Sequence, residues 1–137
     1  MQIDLVINAE PVAQGRPRFS RRGSYVSTYD PPKSKQYKAL CQQQLQQQYS
    51  KKPLEMPIGI DVKFYRSIQK ATSKKDRELK LRGVIRPVVK PDVDNFYKAV
   101  TDAMTGIIYH DDNQIVEVNM AKYYGNKPRT EIKIYTI

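Results

Sequence analysis

Five of the nine aspartates in this 137-residue chain fall between Asp92 and Asp112, and Lys98 is the only lysine or arginine among them. Two open the run Lys90-Pro91-Asp92-Val93-Asp94-Asn95-Phe96-Tyr97-Lys98, and two more stand together as Asp111-Asp112. Gathered carboxylates repel one another, and the cost of folding them together is relieved when a cation joins them. Mg²⁺ suits such a set, because it takes oxygen ligands, uses few carboxylates and keeps positions for water and phosphate. The rest of the chain is strongly basic: 24 Lys and Arg against 14 Asp and Glu, a formal net charge of +10. A basic protein with one acidic pocket reads as an enzyme that grips a polyanion and cuts it with the help of a metal.

The elements around these residues must bring them together. Pro91 biases Lys90 toward extended backbone. An extended run through Asp92, with a helix starting near Asp94, lets the two carboxylates converge at a helix N-terminus, where the dipole also favours negative charge. From Val93 to Met104, the residues Val93, Phe96, Tyr97, Val100 and Met104 share one helical face, predicted to pack on a sheet. Asp94, Lys98 and Asp102 follow at helical spacing along one flank. Gly106 ends the helix, and the chain can then return at Asp111-Asp112, so that Asp112 meets Asp92 and Asp94 as a third ligand. Each aspartate alone has a plainer reading as a cap, an ion-pair partner of Lys98 or a turn residue. Capping, however, consumes one aspartate rather than four or five.

Upstream, Ile3, Leu5 and Ile7 alternate with polar residues as an opening strand. Pro11 to Gly23 reads as an irregular loop carrying Arg16, Arg18, Arg21 and Arg22, and Tyr25 to Tyr29 as a short strand. Pro31-Pro32 starts a helix with an apolar face of Tyr37, Leu40, Cys41, Leu45 and Tyr49; the glutamines from Gln42 to Gln48 fill its solvated face. Ile58, Ile60, Val62 and Phe64 mark the clearest strand. Ser73 is placed to cap a short helix through Leu81, closed by Gly83. Ile115 to Tyr124 and Thr130 to Ile137 read as strands joined in a hairpin by Gly125-Asn126-Lys127-Pro128. Together these elements predict one α+β domain over residues 1–137. Its architecture is a two-layer sandwich, a mixed sheet with helices on one face.

The segment from Ser67 to Lys90 holds eight Lys and Arg against Asp76 and Glu78. Lys74, Lys75, Arg86 and Lys90 from it, with Arg16, Arg18, Arg21 and Arg22, are the candidate phosphate contacts; a solvated face is the plain alternative for any one of them. The single Cys41 excludes an internal disulfide and fits a reducing cytosol. No apolar run approaches the ~20 residues of a membrane span, and the start of the chain lacks a signal-peptide layout, so a cytoplasmic protein without membrane partners is expected.

Lys-Pro-Asp-Val-Asp-Asn-Phe-x-Lys at 90–98, Asp102-Ala103, and Asp111-Asp112-x-Gln114-Ile115-Val116 together resemble the signature of the RusA-type Holliday-junction resolvases. Gly15-Arg16-Pro17-Arg18-Phe19 is similar to the opening motif of that family's phage and prophage branch, and the likeness spans nearly the whole chain in order. It implies a homodimeric, Mg²⁺-dependent endonuclease, with Mn²⁺ as a substitute, that resolves four-way DNA junctions by paired nicks in recombination and repair. The family's essential carboxylates map onto Asp92, Asp94 and Asp112, and its essential lysine onto Lys98. Beside that mapping, Asp102 reads as holding Lys98, Asp111 as a turn or supporting residue, and His110 as a bystander. The clearest departure is the short, aromatic-poor link from Thr105 to His110.

Two other functions fit the composition: a general structure-selective nickase, and a non-catalytic basic DNA-binding or architectural module. A Pro-Asp…Glu-x-Lys nuclease pattern is formally met by Pro91-Asp92 and Glu131-Ile132-Lys133, but that pattern needs adjacent strands, whereas Asp92 is predicted to open a helix.

Overall fold

β4 (Ile58–Ser67) organises the chain, because Ile58, Ile60, Val62 and Phe64 all point to one side and are fully buried. The structure, a computed structural model, describes residues 1–15, 18–23, 25–29 and 31–137, with backbone alone for 18–20, 22 and 25–29. β4 pairs antiparallel with β6 (Arg129–Thr136) on one side and parallel with β5 (Ile115–Gly125) on the other. β1 (Gln2–Ile7) adds antiparallel to β6, giving the order β1-β6-β4-β5. β2 (Arg18–Arg22) and β3 (Tyr25–Tyr29) pair with each other in a separate two-stranded ribbon. With helices α1 (Pro32–Gln48), α2 (Lys74–Leu81) and α3 (Val93–Met104), the protein is α+β around a mixed sheet.

Two expectations are corrected. β5 and β6 are not paired as a hairpin, since β4 lies between them. β4, with four fully buried apolar side chains, takes an interior place beside β6, and the link after Gly125 carries the chain across its end. Gly125 permits that crossing: a Cβ there would lie 3.2 Å from the Tyr65 side chain and 3.1 Å from that of Arg129. The segment from Arg18 to Arg22 is also a strand, not irregular loop, paired residue for residue with Tyr25 to Tyr29.

The parallel pair dictates where the acidic residues go. Parallel neighbours require a crossover, not a tight turn, and the crossover from β4 to β5 contains both α2 and α3. α3 returns against the strand direction, so its first turn lies by the end of β4 and its last turn by the start of β5.

The core joins Leu5, Ile7, Ile132 and Ile134 of the sheet to Tyr37, Cys41 and Leu45 of α1 and Phe96, Val100 and Met104 of α3. The Phe64 and Phe96 rings meet at 5.3 Å between centroids. Leu40, expected on the buried face of α1, is 38% exposed at its rim. The glutamines of α1 do more than face water. Gln48 accepts from the Val6 N–H (2.9 Å) and donates to the Val6 carbonyl (2.7 Å). Gln44 does the same for Asn8, at 2.7 and 3.3 Å. One helical turn apart, the two amides occupy backbone groups of the β1 edge that would otherwise be open to another strand.

α2 starts as expected, with Ser73 Oγ accepting from the Asp76 N–H at 3.1 Å. Burying no residue of its own, it is held by surface contacts, with the Lys80 ammonium 4.5 Å from the Tyr124 ring centroid. Beyond it, Arg86 lies 4.0 Å over the Tyr123 ring, Tyr123 stacks on Tyr65 at 5.3 Å, and Arg129 lies 3.8 Å over Tyr65. This column pins the basic segment to the sheet.

Candidate active site

Asp92 is the N-cap of α3, in extended backbone at φ −67° and ψ 152°. The helix thus begins at Val93, one residue ahead of expectation. The Asp92 carbonyl accepts from the N–H groups of Asn95 (3.2 Å) and Phe96 (3.3 Å), while its carboxylate makes no capping bond. An aspartate at this position ordinarily spends its side chain on the helix; here the carboxylate is left free. Asp94 follows in the first turn, also exposed. Beside them opens a cleft of about 410 Å³ lined by Lys90, Pro91, Asp92 and Asn95.

Three ties fix this end of the helix. Arg66 donates to the Lys90 carbonyl at 3.2 Å. Lys122 donates to the carbonyls of Val89 (3.1 Å) and Pro91 (3.0 Å). The Gln14 N–H donates to the Asn95 carbonyl at 3.1 Å. Gly15 then donates to Ser34 Oγ at 2.9 Å, in a gap so narrow that a Cβ would stand 2.8 Å from Pro31 Cγ. Gln14 and Gly15, just ahead of the arginines in sequence, are therefore held at the first turn of α3. Sequence reasoning missed Arg66 and Lys122, because their place depends on β4 and β5 running parallel, which sets Lys122 opposite Phe64 and Tyr124 opposite Arg66.

Further along α3, Lys98 turns to Asp102, at 3.6 Å, as expected. Asp112 opens a single 3₁₀ turn, Asp112–Gln114, capped by Asp111: the Asp111 carboxylate accepts from the Asn113 N–H (3.4 Å), and Gln114 Oε1 accepts from the Asp111 N–H (2.9 Å). Asp111 is thus a turn residue, and Asp112 keeps its carboxylate exposed. Hydrogen bonding to the adjacent Asp111 carboxyl, then slight desolvation and the Asp111 charge, raise the Asp112 pKa from its ordinary value. Lys98 opposes that shift and Asp102 adds to it, which places Asp112 in their company. The neighbouring Tyr97 phenol is pushed up by burial and then by the Asp112 charge. His110 pairs with Glu55 at 3.2 Å, outside this group.

The carboxylates therefore fall into two sets. Asp92 and Asp94 hold the N-terminal turn; Asp112 joins Lys98 and Asp102. The antiparallel return of α3 is the reason, since Asp94 and Asp102 are roughly 12 Å apart along the helix axis. Among the described residues no three His, Cys, Asp or Glu side chains gather closely enough to hold one ion, so the expected meeting of Asp112 with Asp92 and Asp94 is not formed in the single chain. In donor type the residues do fit Mg²⁺, which binds through one or two carboxylates and keeps much of its water.

Of the candidate DNA contacts, Lys90 stands at the cleft. Lys74 and Lys75 are exposed on the first turn of α2, and Arg86 is held over Tyr123. Arg21 is exposed, Arg18 and Arg22 lie on β2, and Arg16 falls outside the described residues. The Pro-Asp…Glu-x-Lys arrangement is not assembled: Asp92 caps a helix, and Glu131 on β6 is engaged by Arg129 at 2.8 Å. No described helix is long and apolar enough to cross a membrane.

The profile of the endodeoxyribonuclease RusA family matches residues 8–135. The chain belongs to the RusA family. Its match takes in both ends of α3, the capped Asp111-Asp112 turn and the arginine-bearing segment. It is also 42% identical over 134 residues to the uncharacterized protein YqaN of Bacillus subtilis (strain 168), covering 96% of this chain and 94% of the relative. Membership of RusA makes the exposed acidic flank of α3 the candidate active site of an endodeoxyribonuclease.

Proposed function

We propose that this RusA family member is a Mg²⁺-dependent endonuclease of one domain that resolves four-way DNA junctions by paired nicks, in DNA recombination and repair in the cytoplasm. The observation that carries the reading is the Asp92 carboxylate, left out of helix capping beside a cleft rimmed by Lys90. Asp92 and Asp94 at the first turn of α3 and Asp112 beyond its last turn are the residues that would hold Mg²⁺, or Mn²⁺ in its place, the two sets serving separate ions or closing over one when DNA is bound. When bound, such an ion supplies Lewis-acid neutralisation of the phosphate and a more acidic water for attack.

The chain's own groups do the rest. Lys98, held by Asp102, places a positive charge where the pentacovalent phosphate gathers negative charge. Lys90, Lys74, Lys75 and Arg86, with Arg16, Arg18, Arg21 and Arg22, grip the phosphates of the branched strands. The bonds of Gln14 and Gly15 hold the stretch that precedes the arginines at the first turn of α3, next to Asp92 and Asp94.

One acidic cluster per chain supplies one cut, whereas resolution needs two related by symmetry, so the working form is a C₂ homodimer. The exposed face of the sheet is the candidate interface. In its cross-strand row Asp4, Lys133, Asp61 and Asn119 the first three alternate in charge, which lets the row meet a rotated copy of itself with Lys133 opposite Asp61.

Cleavage of a synthetic four-way junction with and without Mg²⁺, beside duplex, fork and flap DNA, tests this. Selective Mg²⁺-dependent cutting of the junction is expected. Binding without cutting would make the protein a DNA-binding module, and equal cutting of every branched form would make it a general nickase.

A further inference from the structure

Gln114 belongs to the family-like motif, and the mechanism above gives it no part. Its amide is nevertheless fully engaged: Oε1 accepts from the Asp111 N–H at 2.9 Å, and Nε2 donates to the carbonyls of Leu54 (2.8 Å) and Met56 (3.1 Å). The main chain docks on the same strip. Leu54 donates to the Ile108 carbonyl at 2.8 Å, and its own carbonyl accepts from the His110 N–H at 3.3 Å. Leu54 is buried, so the strip is anchored in the core. Asp112 thus lies between two attachments of the chain to residues 54–56, one by backbone before it and one by Gln114 after it.

We propose that Gln114 is a positioning residue for Asp112, fixing the turn from which that carboxylate reaches the reacting phosphate and its ion. The inference rests on the reading of Asp112 as a carboxylate that holds the divalent ion. The chemistry of the contact demands an amide. Two carbonyls need donors while the Asp111 N–H needs an acceptor, and no other side chain of that length offers both at once. Glutamate would keep the acceptor but set an anion against two carbonyl oxygens. Methionine would fill the space and supply neither. Groups that orient a metal-holding residue change metal affinity by ~10–100-fold when removed.

The test uses Tb³⁺, an oxygen-seeking ion whose luminescence is excited through nearby tyrosine, here Tyr97 beside Asp112. Gln114→Met should bind Tb³⁺ at least ~10-fold more weakly than wild type. The Mg²⁺ concentration for half-maximal junction cleavage should rise by a similar factor, with affinity for the junction in metal-free buffer unchanged. A purely structural role would lower the melting temperature and leave the Mg²⁺ requirement of the folded protein where it was; that result overturns the proposal. Should Gln114→Met fail to fold, Gln114→Asn, which keeps a neutral amide on a stem too short to hold all three contacts, decides by the same readouts. The control is Asp112→Asn. If it leaves Tb³⁺ affinity intact, the reading of Asp112 falls first and the role of Gln114 falls with it; if it abolishes binding while the Gln114 variants bind normally, the role of Gln114 alone is wrong.

Discussion

A cap residue that does not cap is the most telling side chain in the molecule. Asp92 lets its backbone carbonyl take the first helical bonds and keeps its carboxylate exposed, a choice that forgoes a capping hydrogen bond and leaves an anion beside Lys90. If that anion and its partners serve the cut, Asp92→Asn, Asp94→Asn and Asp112→Asn should each abolish junction cleavage in a gel assay while junction affinity holds or rises, because each removes an oxygen ligand and lessens repulsion of DNA. Asp111→Asn should keep most of its activity, since asparagine still offers the oxygen that accepts from the Asn113 N–H. Full activity in Asp112→Asn with a dead Asp111→Asn would exchange their roles. Lys98→Ala should slow single-turnover cleavage by roughly 10²–10³-fold with little change in binding, the usual loss when a charge on the transition state is removed. A loss confined to affinity would make Lys98 a phosphate clamp.

At the scale of elements, the sheet protects β1 by side chains of its own helix. Gln44→Ala with Gln48→Ala should lower stability by about 1–3 kcal/mol, the net worth of such bonds where water can partly replace them. A denaturant midpoint that did not move would show the clamp to be incidental. The strands and helices with strict periodicity were legible in the sequence: β4, the buried face of α1 apart from Leu40, the Ser73 cap and α3 to within one residue. Pairing was not. Nothing in Ile115 to Gly125 reveals that its neighbour is β4 and runs parallel to it, because alternation fixes a strand's faces and leaves its partner open. From that omission came the others. The ties made by Arg66 and Lys122, the tertiary use of Gln44 and Gln48, and the separation of Asp112 from Asp92 and Asp94 all depend on pairings distant in sequence.

For the whole molecule, charge and symmetry give the accessible tests. A clamp with ~6–10 phosphate contacts should lose about 10³–10⁵ in affinity between 50 and 200 mM salt. Replacing Arg16 and Arg18 together should flatten that slope, and an unchanged slope would remove their segment from the DNA surface. Sedimentation at micromolar concentration should give a mass near twice 15.9 kDa, and both nicks in a supercoiled cruciform should appear within one binding event. A strict monomer releasing singly nicked circles would refute the dimer. The order β1-β6-β4-β5 carries one more consequence, for birth rather than action. β1 meets the sheet only through β6, and the bond from the Met1 amino group to Thr136 Oγ1 spans 135 residues of sequence. On the ribosome, then, β1 must wait unpaired until residues 129–136 have cleared the exit tunnel. A chain that has emerged only as far as β5 already holds every candidate acidic residue and both strands of the parallel pair, so the closing of the four-stranded sheet through β6 is the last step, joining its two most sequence-distant strands.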